Sequence, residues 1–133
     1  NEASRRPAVF TGGAQGIGRA IAETFAREGA KISICDVNEP VAQATAEEIK
    51  KQFGVDTFAA KVNVTVFEEC EKWVTATAEK LGRVDILVNN AGISAIGSVE
   101  ELPDDAWARV LNINVIGMAR VLQTPIAATG PPA

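Results

Sequence analysis

Three glycines and one carboxylate bound the chemistry open to this chain. In Thr11-Gly12-Gly13-Ala14-Gln15-Gly16-Ile17-Gly18, the glycines Gly12, Gly16 and Gly18 follow an apolar run, Ala8-Val9-Phe10-Thr11. They precede Ile17, Ala20, Ile21, Thr24 and Phe25, which recur at helical spacing. Gly12 can take a turn conformation closed to other residues. At Gly16 a missing Cβ lets a pyrophosphate approach the backbone, and at Gly18 it lets the helix pack closely on the strand. The opening of a helix presents free N–H groups and a partial positive charge, which suit phosphate. Thr11 and Gln15 can add polar contacts. Gly12, Gln15, Gly16, Ile17 and Gly18 are therefore candidate ligand contacts. The competing reading is a glycine-rich turn with no ligand. Against it, this turn follows a strand and opens a helix, the setting the mechanism requires. No Gly-Lys-Ser/Thr follows, so a nucleoside triphosphatase loop is disfavoured.

Asp36 ends the next apolar run, eighteen residues beyond Gly18. A carboxylate there can accept hydrogen bonds from the ribose hydroxyls of the adenosine in a dinucleotide. A 2′-phosphate would meet like charge, costing about 4 kcal/mol at about 4 Å in an effective dielectric near 20. No arginine or lysine occupies position 15, 37 or 38 to offset this. An aspartate in a solvent-exposed turn is the other reading. Taken with the glycine turn, Asp36 selects NAD as the cofactor.

These residues need a scaffold, and the hydrophobic pattern supplies one. A strand over Lys31 to Cys35 follows a helix stopped by Gly29, and a helix from about Pro40 to Phe53 begins with proline and ends at Gly54. The third strand is Thr57 to Val62. Phe67, Cys70, Val74, Ala78 and Leu81 stripe a third helix closed by Gly82. Asp85 to Val88 is the fourth strand, and a fourth helix runs from near Pro103 to about Gln123. Its apolar residues are Trp107, Val110, Leu111, Val115, Met118 and Leu122. Thr129 to Ala133 is expected to be irregular. Alternating β and α elements imply a parallel sheet covered on both faces by right-handed crossovers. The expected fold is α/β, a Rossmann-type doubly wound sheet of four strands and four helices. Residues 1–133 read as one dinucleotide-binding domain.

The chain has 133 residues, 47% of them hydrophobic, and a formal net charge of -4, so nucleic-acid and anionic-membrane partners are not expected. There is no histidine, and the two cysteines, Cys35 and Cys70, read as reduced core residues, so no metal site is expected. No apolar stretch approaches the roughly 18 residues of a membrane span, and no signal core follows Arg5 and Arg6. The expected location is the cytoplasm.

With these pieces placed, the chain resembles the short-chain dehydrogenase/reductase family from about Pro7 to Gln123. The glycine turn matches the family's cofactor turn, and Asp36 its NAD-selective acid. Asn89-Asn90-Ala91-Gly92 matches the motif after strand four, and Asn114 in Ile113-Asn114-Val115-Ile116-Gly117 the helical asparagine. The resemblance implies that Asn63-Val64 lies beside the adenine ring, where the family usually has Asp-Val. The Asn63 amide oxygen could still accept from the adenine amino group. It implies that Asn90, Ala91 and Gly92 floor the adenosine and ribose, with Asn90 also read as a stabiliser of the strand-four turn. It assigns Asn114 the catalytic part of kinking its helix and holding a water in a proton relay. By itself, an asparagine among apolar residues reads equally as a satisfied core amide, and only the family pattern favours Asn114 over Asn112.

The family's Ser, Tyr and Lys lie downstream of these motifs, and this chain has no tyrosine. Ser94 and Ser98 do not stand at the catalytic position and read as a loop on the substrate side. The C-terminal strands of the family fold are missing as well. The expectation is the NAD-binding portion of an oxidoreductase acting on a small-molecule secondary alcohol or ketone. The alternative is a non-catalytic dinucleotide-binding module or truncated fragment that works through another chain. Strand four would form an open edge, and in the family the fourth helix commonly contributes to a subunit interface, so a homo-oligomer is expected.

Overall fold

The computed structural model describes residues 5–92 and 100–129, so Ser94, Ser98 and the tail from Gly130 lie outside the described residues. Four parallel strands form one sheet: β1 (Pro7–Thr11), β2 (Lys31–Asp36), β3 (Thr57–Lys61) and β4 (Ile86–Val88). Their order is β3-β2-β1-β4, with Phe10 level with Ile34 on one side and Val88 on the other. The doubly wound α/β fold expected from the alternating pattern is what forms.

Strand β1 is buried along its whole length, as a central strand covered on both faces must be. Side chains alternate across a strand, and the two faces seed separate cores. Ala8, Phe10, Ile32 and Ile34 pack with Ala22, Ala26, Ala42 and Ile49 from helices α1 (Gly16–Arg27) and α2 (Glu39–Phe53). Val9 and Cys35 pack with Trp73, Val74 and Val121 on the opposite face, under helices α3 (Phe67–Leu81) and α5 (Gly117–Thr129). Ser33 points into that second core, and its hydroxyl is kept satisfied by the Trp73 indole N–H at 2.9 Å and the Thr77 hydroxyl at 2.7 Å.

Several boundaries differ from the sequence expectation. Strand β3 stops at Lys61, although the Val62 N–H still bonds the Asp36 carbonyl at 3.1 Å. Strand β4 holds only three residues and lies at the sheet edge, with each of the three half-buried. Thr129, expected in an irregular tail, ends α5.

The fourth helix departs most. It is two α-helical segments, α4 (Asp104–Leu111) and α5, joined by a π-helical turn over Asn112–Ile116. The Gly117 N–H bonds the Asn112 carbonyl, which is the wider π spacing. Two contacts accompany the extra width. The Arg120 guanidinium donates to the Asn112 carbonyl at 3.3 Å and to its side-chain oxygen at 2.6 Å. Gly117 sits so close to Val64 that a Cβ there would lie 2.9 Å from the valine Cγ2.

Candidate functional site

The β1–α1 turn is built as its glycines predict. Gly12 adopts φ +66°, and its N–H bonds the Cys35 carbonyl at 2.9 Å, tying the turn to the end of β2. Gly16 adopts φ +63°, and a Cβ built on it would meet no atom within 4 Å. Its side therefore opens on free space. A Cβ on Gly18 would collide with the Gly12 carbonyl oxygen and lie 2.5 Å from Asn90 Nδ2, so the close packing is against the turn and Asn90 rather than the strand alone. Gly13 is a fourth constrained position not singled out from sequence, since a Cβ there would reach within 2.7 Å of Ile34 Cγ2. From α2, the buried Thr45 hydroxyl donates to the Ala14 carbonyl at 2.6 Å and pins the turn from behind.

Helix α1 starts without a side-chain cap; Gln15, its N-cap residue, is extended and makes no capping bond. The N–H groups of its first turn have no intrahelical acceptor. They stay available to an anion, with the positive end of the helix dipole behind them. Ile17 lies beside them, 75% exposed.

Thr11 does a different job from the one expected. It is buried, and its hydroxyl accepts from the Asn90 and Ala91 N–H groups, both at 2.9 Å. The hydroxyl therefore fixes the backbone after β4 instead of facing a ligand. Asn90 Nδ2 completes the link by donating to the Gly12 carbonyl at 3.1 Å. Asn90 is thus a turn stabiliser, and it also lines the cavity described next. The side-chain oxygen of its neighbour Asn89 is buried with no hydrogen-bond partner among the described residues.

The carboxyl ends of the strands surround a cavity of about 670 Å3. Of the expected residues, Gly12, Gln15, Asp36, Asn63, Val64, Asn90, Ala91 and Gly92 line it. Gly16, Ile17, Gly18 and Asn114 are not among its lining residues. Asp36 stands at the end of β2 and accepts from the Asn38 N–H at 3.2 Å.

Asn63 corrects an expectation. Its side-chain oxygen already accepts from the Thr65 N–H at 3.0 Å and the Thr65 hydroxyl at 2.6 Å. It is not open to an adenine amino group as the sequence reading supposed. The Asn63 N–H is itself held by the Glu69 carboxylate at 3.0 Å. Val64 is buried, and its carbonyl accepts from Arg120 at 2.9 Å, so the β3–α3 loop is clamped to the π turn.

The π turn also separates the two asparagines that sequence alone could not. Asn112 is engaged by Arg120. Asn114 instead faces Gly92, where a Cβ would lie 3.4 Å from its Oδ1. Among the lining residues that were missed are Arg109 and Ile113. They stand four apart, hence on one helical face, and the position of Asn114 beside them was the available signal. Arg109 is exposed and is the basic residue of the lining. Cys35 also touches the cavity, and burial pushes its thiol pKa well up. Among the described residues, no group of His, Cys, Asp and Glu is placed to hold a metal, and no helix is long and apolar enough to cross a membrane.

Known proteins share this arrangement. The family model for short chain dehydrogenases matches residues 6–128. An uncharacterized oxidoreductase of Thermotoga maritima is 40% identical over 110 residues, which cover 83% of this chain and 43% of that protein. An NAD-dependent glycerol dehydrogenase of Listeria innocua is 34% identical over 126 residues, covering 92% of this chain and 48% of that protein. Among solved structures, an actinorhodin polyketide ketoreductase with NADPH superimposes with a TM-score of 0.89 at 34% identity, covering 98% of this chain and 49% of the other. The chain thus spans less than half the length of each of these relatives.

Proposed function

The chain belongs to the short-chain dehydrogenase family, and from that membership we propose that it is the NAD-binding portion of an oxidoreductase. The reaction would move a hydride between NAD(H) and a secondary alcohol or ketone. One observation carries the reading: Gln15, at the uncapped start of α1, and the Asp36 carboxylate line the same strand-end crevice, and Gly16 next to Gln15 faces open space. That crevice is where ligands of open α/β sheets bind.

The residues present fit such a cofactor. The first-turn N–H groups of α1 would hold the diphosphate, with Gly16 leaving room and Ile17 flanking it. Gln15 would add a polar contact. Asp36 would accept from the adenosine ribose. Ala91 and Gly92, fixed by Thr11 and Asn90, would floor the adenosine, and Asn63 with Val64 would border the base. When bound, the cofactor supplies the ring that accepts or gives up the hydride. Asn114 is proposed to hold a water on a proton path, supported by its approach to Gly92 and by the widened turn it occupies.

Asp36 supports NAD over NADP, because a 2′-phosphate beside it would meet like charge. The Listeria relative is named NAD-dependent, whereas the ketoreductase was solved with NADPH, so the point needs measurement. Calorimetry with both dinucleotides is expected to show NAD bound at least tenfold more tightly, and Asp36→Ala is expected to close that gap. Equal affinities in the unaltered chain would sink the NAD assignment. The apolar residues left exposed along α4 and α5 support self-association, and two buried free thiols support a reducing, cytoplasmic setting.

A further inference from the structure

Arg120 does not line the cavity, yet it holds two of the cavity's walls together. One wall is the loop after β3, where positions 62–65 all face the cavity. The other is the helix that carries Arg109 and Ile113. The Arg120 guanidinium donates through Nη1 to the Val64 carbonyl at 2.9 Å and to the Asn112 carbonyl at 3.3 Å, and through Nη2 to Asn112 Oδ1 at 2.6 Å. The loop and the π turn are thus joined through one planar group whose donors keep a fixed spacing.

Helix α5 meets the same loop residue twice. Gly117, three positions before Arg120, admits the Val64 side chain so closely that a Cβ would lie 2.9 Å from Cγ2. Arg120 takes the Val64 carbonyl. The Cys70 thiol also donates to that carbonyl, but at 3.9 Å and as a weak donor. The helix behind both contacts is anchored by Val121, fully buried in the second core.

We propose that Arg120 is a positioning residue, which sets the gap between the β3–α3 loop and the π turn and through it the affinity of the cavity. The inference rests on the dinucleotide reading above and adds to it a residue that does not meet the cofactor. A wall held in place beforehand needs no ordering when the ligand arrives. A wall set free must be ordered at that moment, and the cost appears as lost affinity. Hydrogen bonds from a charged donor are among the stronger ones, so losing this bridge is expected to weaken NAD binding roughly tenfold.

Three substitutions test the bridge. Arg120→Met keeps an unbranched apolar stem and removes the guanidinium. Arg120→Lys keeps the charge but replaces the fork with a point donor. Asn112→Ala leaves Arg120 in place and removes the oxygen that holds its Nη2, at a position that does not line the cavity.

The experiment is calorimetric titration of the full chain with NAD, at a temperature where circular dichroism shows each protein folded. Hydrogen exchange of the loop is followed alongside, since the N–H groups of Val62, Asn63, Thr65 and Val66 are all bonded and report an intact loop. Arg120→Met is expected to bind NAD about tenfold more weakly, and to exchange faster across the loop but not across the β1–α1 turn. Arg120→Lys is expected to recover part of the affinity at most. Asn112→Ala is expected to weaken NAD binding as well, and the double variant to bind no more weakly than Arg120→Met alone, because both changes remove one bridge. A residue that merely stabilised the fold would lower the melting temperature and leave the affinity of folded protein within twofold; that result overturns the positioning role, as does full affinity in Arg120→Lys. If Arg120→Met does not fold, Asn112→Ala decides, and affinity within twofold of the unaltered chain overturns the proposal. All of these leave the dinucleotide reading in place. Failure of the unaltered chain to bind NAD overturns that reading, and this inference with it.

Discussion

Gly16→Ala separates two demands on the β1–α1 turn, one made by the fold and one by the ligand. Gly16 sits at φ +63°, in left-handed space, where an L side chain costs roughly 1–2 kcal/mol. Alanine recovers about 0.4–1 kcal/mol by restricting the unfolded chain. No atom lies within 4 Å of the new methyl, so no packing cost is added. The net loss should be about 1 kcal/mol, a drop of roughly 2–8 °C in melting temperature. Gly18→Ala should lose more. Its methyl runs into the Gly12 carbonyl and threatens the 3.1 Å bond from Asn90 Nδ2. Overpacking with a lost hydrogen bond amounts to about 2–4 kcal/mol. The order reverses for the ligand. The alanine methyl at position 16 points into the space assigned to the diphosphate, so NAD affinity should fall at least tenfold with only mild loss of stability. Thermal melts by circular dichroism and calorimetric titration of folded protein give the two readouts. If Gly16→Ala binds NAD as the unaltered chain does, the open space beside the helix is not a phosphate site. If it melts as low as Gly18→Ala, the steric argument is wrong.

Burial raises the pKa of both thiols, that of Cys35 well above its ordinary value. Below about pH 8.5 the thiols are protonated folded or unfolded, and this contribution to stability is fully present. Above that, the unfolded chain ionises first and stability is lost as pH climbs towards the folded value. Urea midpoints should therefore be lower at about pH 9.5 than at about pH 7.5, with Cys35→Ala removing much of the difference; equal midpoints in the unaltered chain would refute this. The proposed self-association through α4 and α5 would rest on Trp107, Leu111, Met118 and Leu122, which are 44–53% exposed. Sedimentation should show an oligomer that Leu111→Glu weakens, and a monomer at every concentration would count against it.

The sheet and its glycine turn could be read from local chemistry. Four apolar runs, each separated by a helical stripe and a glycine stop, leave few topologies open, and the positive φ of Gly12 was implied by glycine's place between strand and helix, while that of Gly16 was not. What could not be read depended on partners that only the folded backbone brings together. Thr11 looked like a ligand contact because nothing local shows that residues 90 and 91 would return to it. The Asn63 oxygen looked free because its local partner, Thr65, is revealed only by the backbone turn that brings it round. Asn112 and Asn114 were separated by Arg120, whose guanidinium reaches back across the widened turn. The π turn itself leaves no mark in a pattern read at a single helical period.

That turn has a consequence for how the chain can vary. A π turn is an α-helix holding one residue too many, and each residue advances an α-helix by about 100°. Deleting any one position within 112–116 would let the helix run straight while swinging everything beyond it by more than a quarter of a revolution. Gly117 would leave Val64, Val121 would leave its core, and Arg120 would lose its grip on the loop bordering the cavity. Substitutions here should thus be far easier to accommodate than a change of length, and among relatives the residue count between Asp104, at the start of α4, and Gly117 should hold steadier than the letters that fill it.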